Sequence, residues 1–223
     1  MNGRQLKAHA RKAMAGKWKF GIFAVLVTWV VSSIFETPLF IMESGLEHAW
    51  QIGATALVAG PIATGISWLF LDIWDKKDVM YNTAFAPIRN YWKVVLVTFI
   101  VYVVTFAGMF LLLVPGIIFY LTLSQSIYIL KEHPQMGVME VLNTSRLKMK
   151  GNKRRLVGVI LSFAGYLVPP VIATMVAVFF FTESPVGAWI FLGSVIYIIG
   201  VAFYLIPIFS TTMGGFYRET ISK

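Results

Sequence analysis

The sequence predicts an all-α fold, namely a polytopic membrane protein with about six transmembrane helices in hairpins and interfacial amphipathic helices on the cytoplasmic side. Hydrophobic residues make up 58% of the 223 residues, and the mean hydropathy is +0.75. Only 13% of the residues are charged, whereas a soluble domain carries about 25%. Six mostly uncharged runs recur along the chain, and several could cross about 30 Å of hydrocarbon, which takes about 20 helical residues.

The six predicted spans form a single transmembrane domain over residues 20–217. They cover residues 20–41, 52–74, 93–113, 116–130, 156–181 and 186–208. A basic amphipathic segment (residues 1–19) precedes this domain, and a short tail (residues 218–223) follows it. No charged residue lies between Lys93 and Lys131, and one helix of that length would be too long for a bilayer. We therefore predict a tight turn at residues 114–116, where Pro115 and Gly116 interrupt the run.

The distribution of positive charge predicts the orientation. All 19 Lys and Arg residues lie before the first span, in residues 76–93, in residues 131–155, or in the tail. The other loops carry acidic residues instead, namely Glu36, Glu43, Glu47 and Glu183. Because basic residues are retained inside during insertion, the four basic segments and both termini are expected in the cytoplasm. Residues 93–130 then begin and end on the same side, so they cross twice or re-enter, and cannot cross once.

Composition excludes several other classes of protein. The chain has no cysteine, which excludes disulfides, thiolate metal sites and cysteine nucleophiles. Residues 1–19 are basic and no small-residue cleavage pattern closes the following apolar run, so we do not expect a cleavable signal peptide. The net charge of +9 is concentrated at the ends of spans. This distribution favours anionic lipid headgroups over nucleic acid as the partner.

Three similar segments begin at Met14, Ile88 and Met149, and in each a basic or aromatic anchor runs into a span. The chain either contains three copies of an interfacial helix plus a membrane hairpin, or ordinary anchors recur wherever a span begins on the inside. Apolar residues of the first segment share one helical face, namely Leu6, Ala10, Ala13 and Met14. Residues 137–150 are predicted to lie along the inner leaflet, with an apolar face of Val138, Val141, Leu142 and Met149.

The basic residues beside these segments are the predicted contacts with lipid headgroups or with an acidic membrane protein or peptide. They are Arg146, Lys148, Lys150, Lys153, Arg154 and Arg155, together with Arg4, Lys7 and Arg11. Each such cation near an anionic leaflet is worth up to about 1 kcal/mol. The alternative is a solvated basic loop that sets topology alone.

No residue pattern predicts catalysis, a cofactor or a metal. His9, His48 and His133 have no carboxylate or second histidine at ligand spacing. HExxH, P-loop and GxSxG patterns are absent. Ser124 and Ser162 lie in predicted spans without a partner base, and serine there more often packs or hydrogen-bonds between helices. We therefore expect a protein that is not an enzyme.

Transport would favour ionisable residues or helix breaks within spans. Glu36 is most simply an outer-interface residue, and Asp72 is expected to pair with neighbouring charges near the inner interface. Gln125 is the most polar residue predicted to lie deep, where it either lines a path or, as we favour, hydrogen-bonds across helices. Three proline sites could kink or break helices, namely Gly60-Pro61, Pro169-Pro170 and Pro207. Pro169-Pro170 is the strongest candidate for a true break.

An ordered set of motifs runs through the second half of the chain. It comprises Pro115-Gly116, Ser124-Gln125 with Tyr128, Pro134, Ser145, residues 149–153, Leu161-Ser162-Phe163 with Gly165, Pro207, and Phe216-Tyr217. In these motifs the chain resembles the bacterial membrane family catalogued as domain of unknown function 975. Gly60-Pro61 and Leu71-Asp72 fit more loosely, and Tyr166, Pro169-Pro170 and Ile208 depart from the pattern. The resemblance implies a multi-pass bacterial membrane protein and no established activity. The expected location is the cytoplasmic (inner) membrane of a bacterium.

The expected function is that of a non-enzymatic membrane protein acting through lipid, peptide or protein partners. Export assistance, immunity to a membrane-active peptide and envelope maintenance all fit this description. The alternative is a small transporter or channel built on proline-broken helices. Oligomeric state stays open.

Overall fold

The computed structural model describes residues 2–36, 53, 55–180 and 185–222, and every regular element within these ranges is helical. The α-helices are α1 (Gly3–Met14), α2 (Trp18–Glu36), α3 (Gly60–Trp74), α4 (Tyr91–Leu111), α5 (Leu113–Leu123), α6 (Ser126–Glu132), α7 (Val138–Lys148), α8 (Lys153–Phe180) and α9 (Pro185–Thr220). A π-helical turn (Thr55–Ala59) precedes α3, and a 3-10 helix (Tyr81–Asn90) precedes α4. Glu43, Glu47, His48 and Glu183 lie outside the described residues.

Four helical segments in the described ranges are long and apolar enough to cross a bilayer, namely Leu57–Trp74, Tyr81–Leu111, Leu113–Glu132 and Ala188–Thr220. Two bent pairs raise the number to six, namely Gly3–Met14 with Trp18–Val31, and Lys153–Tyr166 with Val168–Val176. Large apolar side chains on these helices face outward, among them Phe110, Phe179 and Trp189. Apolar surface on this scale needs lipid as its solvent. The predicted class, an all-helical polytopic membrane protein, is therefore confirmed.

Helix α1 meets α2 at an angle of 100°. Asn2 and Gln5 form a capping box that satisfies backbone amides at the start of α1. The predicted apolar face of α1 is confirmed, because four residues on it are buried against α9, α3 and α8, namely Leu6, Ala10, Ala13 and Met14. Helix α1 therefore packs across the end of the bundle and buries its apolar face in the protein itself.

The hairpin between α4 and α5 turns earlier than the sequence predicted. Leu112 is extended (φ −160°, ψ 141°), and Pro115 and Gly116 lie in the first turn of α5. Proline is tolerated there because the first amides of a helix have no intrahelical acceptor. Gly116 allows the two helices to approach closely, since a Cβ at this position would lie 2.6 Å from the backbone nitrogen of Met109. The predicted turn at residues 114–116 is therefore wrong, and Leu112 makes the turn instead.

The predicted span 116–130 contains a break. Helix α5 ends at Leu123 and α6 begins at Ser126, with Ser124 and Gln125 forming the turn between them. The Ser124 hydroxyl donates to the carbonyl of Leu121 (3.0 Å), a local bond of the kind that competes with helix continuation. Leu113–Glu132 as a whole is still long and apolar enough to cross a membrane, because 20 helical residues rise about 30 Å. Helices α4 to α6 can therefore cross twice.

Helix α8 is bent at its proline pair. The helix is continuous through Pro169 and Pro170, and its two halves meet at 45°. The Thr174 hydroxyl donates to the carbonyl of Pro170 (2.8 Å), a local helix bond one turn beyond the pair. The proline pair therefore coincides with a 45° bend in a segment that stays helical, and its role as a true break stays a prediction. Pro61 also marks a local change, because it lies in the first turn of α3, directly after the π-helical turn.

Helix α9 extends well beyond the predicted end of the last span at residue 208. It continues through Pro207 to Thr220, and Phe216 and Tyr217 in its last turns are buried. Arg218, which the sequence assigned to a tail over residues 218–223, therefore belongs to α9. Burial of these two aromatic residues in the core explains why the helix continues past the predicted end of the apolar run.

In each of the three similar segments a short helix precedes a long one. The pairs are α1 with α2, the 3-10 helix with α4, and α7 with α8. Both interpretations of the repeat accommodate this order, so three-fold internal duplication stays a prediction.

Candidate functional site

The four basic segments meet at one end of the bundle. We call this the charged end, and it consists of residues 2–19, 75–93, 131–155 and 218–222. Polar contacts cross between the segments: Lys17 Nζ to the carbonyl of Lys77 (2.7 Å), Lys93 Nζ to the carbonyl of Pro134 (2.7 Å), and Arg218 Nη2 to Asp75 Oδ2 (2.5 Å). The return of residues 93–130 to the side from which they start, inferred from charge parity, agrees with this arrangement.

Arg218 joins three helices through two carboxylates. Its Nε donates to Asp75 Oδ1 (2.9 Å) and its Nη2 to Asp75 Oδ2 (2.5 Å), a two-pronged contact between α9 and the residue that ends α3. Its Nη1 donates to the carboxylate of Glu132 on α6. The hydroxyl of Tyr217 donates to the same carboxylate. Such forked guanidinium contacts fix geometry as well as contributing energy.

Asp72 belongs to a second ion pair beside the first. Lys131 Nζ lies 2.7 Å from Asp72 Oδ2 and also donates to the backbone carbonyl of Trp68 (2.7 Å). Lys77 Nζ lies 3.3 Å from Asp72 Oδ1. The expectation that Asp72 pairs near a span end is confirmed. Lys131, its closest partner, was missed, although its position at the end of a neighbouring span was a usable signal.

Five of the cations predicted to meet headgroups divide into two groups at the end of α7 and the start of α8. Arg146, Lys150, Lys153 and Arg154 make no hydrogen bond or ion pair within the described part of the chain, and all are exposed or half-exposed. Lys148 instead donates to the backbone carbonyl of Ile221. The first four are therefore available to an external anion, whereas the ammonium of Lys148 holds the end of the chain.

The remaining predicted contacts are also divided. Arg155 donates to Thr220 Oγ1 (2.9 Å), and Lys7 donates to the carbonyl of Ser162 (3.2 Å), so both are engaged by the protein. Arg4 and Arg11 are exposed on α1. Contact of any of these cations with lipid headgroups stays a prediction.

The predicted apolar face of residues 137–150 does not face lipid. Val141, Leu142 and Met149 are buried in the core. Val138 is half-buried against the same core. The hydroxyl of Ser145 on this face donates to the carbonyl of Thr122 (2.9 Å), which ties α7 to α5. The predicted orientation is therefore wrong, because helical periodicity marks an apolar face without distinguishing a protein neighbour from a lipid one.

A different face of α7 is open to the surroundings. Met139 and Leu147 are 64% and 70% exposed. They line one groove together with Arg146 and with Lys150, which follows the end of α7. Two large apolar side chains next to two cations form an outward amphipathic strip. This strip is the part of α7 that can meet a bilayer interface.

The strip borders a groove of about 1030 Å³ between α4, α5 and α7. Apolar residues from two helices line its inner part, namely Ile100, Val104, Ile118 and Phe119. Arg146, Lys150 and Lys153 line its outer part, at the charged end. None of the described residues that line it is acidic. The groove thus combines an apolar interior with a cationic rim.

Gln125 does not form the interhelical hydrogen bond that we favoured. It is fully buried, and its Nε2 donates to the hydroxyl of the adjacent Ser124 (3.0 Å). Its Oε1 and the hydroxyl of Ser126 have no hydrogen-bond partner in the described part of the chain. The amide therefore sits at the break between α5 and α6 without joining a second helix.

The contacts of His9 and Ser162 are those of residues that pack within the protein. The ring of His9 lies 4.4 Å from that of Trp74. Within the described ranges, no three His, Asp or Glu residues come close enough to hold a metal ion. The hydroxyl of Ser162 donates to the carbonyl of Val159 (2.6 Å), a local helix bond.

These features define the class of the chain as a helical, multi-span membrane protein with a densely charged end. The profile of a family described as "Protein of unknown function (DUF975)" matches residues 96–223. The chain therefore belongs to this family, as its motifs indicated. No curated protein and no solved structure matches it significantly.

Proposed function

We propose that this protein is a non-enzymatic membrane protein that acts by binding, and that its binding surface is the cationic rim formed by Arg146, Lys150 and Lys153. The observation that carries the proposal is that these cations lack partners in the described structure, while other charges of the same end are paired. The first partner is the anionic surface of the bilayer. An acidic peptide or membrane protein would bind the same cations. Such a partner would suit a role in export assistance, immunity to a membrane-active peptide or envelope maintenance.

The same charges support a proposed placement in the membrane. Basic residues concentrate at one end, and retention of positive charge would place that end, with both termini, in the cytoplasm of a bacterial inner membrane. The alternative of a transporter built on broken helices has less support. Helix α8 is continuous through Pro169 and Pro170, and Asp72 is held in ion pairs near the charged end.

The test uses the full-length protein in a mild detergent and measures its thermal midpoint with added lipid. Phosphatidylglycerol should raise the midpoint more than phosphatidylcholine, and 0.5 M salt should reduce the difference, since exposed charges are screened within a few ångströms at about that ionic strength. Equal effects of the two lipids would refute the proposal.

A further inference from the structure

We propose that the groove between α4, α5 and α7 is a binding site for one anionic phospholipid, with its phosphate at Arg146, Lys150 and Lys153 and an acyl chain on Ile100, Val104, Ile118 and Phe119. The inference deepens the proposed function and rests on it. It adds a defined site and a one-to-one stoichiometry to a general electrostatic surface.

The depth of the groove fits a lipid that enters from the bilayer. Tyr91 begins α4 at the charged end, and Val104 lies 13 residues further along. At 1.5 Å per residue that is about 20 Å of rise, more than half of a ~30 Å hydrocarbon core. Ile118 and Phe119 face the same cavity from α5 and are 43% and 41% exposed. An acyl chain would cover this surface while its headgroup stays at the charged end.

The charge of the rim selects the headgroup. The three cations line one cavity, and the acid closest to them in sequence on α7, Glu140, is used locally because its carboxylate accepts from the amide of Gly137 (3.3 Å). Arginine and lysine together suit a phosphate, which accepts several charge-assisted hydrogen bonds. A zwitterionic headgroup would bring its own cation to the same rim. Repulsion between that cation and the rim cations would weaken its binding.

The apolar interior selects a lipid over an acidic peptide. A peptide laid along Ile100 and Val104 would carry backbone amides into the hydrocarbon region, where unpaired polar groups are strongly disfavoured unless the peptide forms its own helix. An acyl chain brings no polar group to that depth. The combination of cationic rim and apolar floor therefore fits an amphiphile with one anionic head.

The experiment measures phosphatidylglycerol retained by the full-length protein, using native mass spectrometry after detergent purification. The rim variant carries Arg146→Gln, Lys150→Gln and Lys153→Gln. Its matched charge control carries Lys12→Gln, Lys19→Gln and Arg89→Gln, which remove the same charge from exposed positions elsewhere at the charged end. The groove variant is Ile118→Trp, and its control is Ile172→Trp at an exposed position on α8.

Wild type and both controls should retain one phosphatidylglycerol per chain. The rim variant should bind it roughly 100-fold more weakly. Ile118→Trp should reduce retention at low and high salt alike. Equal losses in the rim variant and the charge control would overturn the groove site and leave the general electrostatic surface standing. Indifference of every variant to lipid charge would overturn both. Binding of poly-glutamate that needs the rim but is insensitive to Ile118→Trp would assign the rim to an acidic peptide and overturn the lipid site.

Discussion

Replacing Arg218 by glutamine should destabilise the fold more than any other single change of charge at this end. The substitution removes the forked contact with Asp75 and the contact with Glu132. Hydrogen bonds to charged groups contribute roughly 1.5–3 kcal/mol each, so two carboxylates losing their partner imply about 3–6 kcal/mol. The side chains are 16% to 25% exposed, which lets water compensate part of the loss. We therefore expect a net cost of about 2–3 kcal/mol.

The assay is thermal unfolding of the full-length protein in mild detergent, followed by fluorescence of its 7 tryptophans. For a chain of this size, 1 kcal/mol shifts Tm by about 2–4 °C, so Arg218→Gln should lower Tm by roughly 4–12 °C. Arg154→Gln is the matched control, because Arg154 is exposed and makes no hydrogen bond or ion pair in the described residues. Its effect should stay within about 0.5 kcal/mol.

A double-mutant cycle with Asp75→Asn isolates the pair. If the contact is real, the double variant should be less destabilised than the sum of the single variants by at least about 1 kcal/mol. A Tm for Arg218→Gln no lower than that of Arg154→Gln would refute the reasoning. Strict additivity in the cycle would also refute it.

Three further predictions concern other parts of the molecule. Gly116→Ala should destabilise the hairpin of α4 and α5, because its Cβ would lie 2.6 Å from the Met109 backbone nitrogen. Gly165→Ala is the control, because the space around its Cβ is open. Equal Tm values for the two variants would count against the close approach of α4 and α5. Gln125→Met should be neutral or slightly stabilising in the same unfolding assay, because the buried Oε1 has no partner to lose, and a loss above about 2 kcal/mol would show a missing contact. Topology reporters at residue 1, in residues 76–90 and 132–153, and at residue 223 should read cytoplasmic, and one near residue 43 should read external; an external signal from residues 132–153 would contradict the orientation.

Much of the architecture was accessible from charge and periodicity. The grouping of Lys and Arg into four segments predicted that residues 93–130 return to their starting side, and α4, α5 and α6 do so. The spacing of Leu6, Ala10 and Met14 predicted the buried face of α1. Both signals are strong because each rests on many residues and on one physical rule, namely retention of positive charge or burial of an apolar stripe.

The failures share a different cause. Periodicity identified the face of Val141 and Leu142 but could not distinguish burial against a neighbouring helix from burial in lipid. Proline position alone could not locate the turn at Leu112, because a first-turn proline is as acceptable as a turn proline. The partners of Asp72 and Asp75 come from α6 and α9, 59 and 143 positions away in the chain. Such pairings depend on how helices pack, which a single sequence does not encode in any local pattern.

The division of the cations into paired and unpaired sets leads to one last prediction. Arg218 and Lys131 sit between helices with carboxylates close by, so removing either leaves a partly buried charge without a partner. Arg146, Lys150 and Lys153 face outward over an apolar groove and have no such internal partner in the described residues. If the first set stabilises the fold and the second binds an external anion, their substitutions should have separable effects.

Arg218→Gln should lower Tm strongly and leave phosphatidylglycerol retention at one per chain in the fraction that stays folded. The rim variant of Arg146, Lys150 and Lys153 should do the reverse, with a small change of Tm in neutral detergent and loss of the retained lipid. Both quantities come from one purified sample, measured by tryptophan fluorescence and native mass spectrometry. If the rim variant had a Tm as low as that of Arg218→Gln in the absence of anionic lipid, these cations would be structural. The proposal that Arg146, Lys150 and Lys153 bind an external anion would then be refuted.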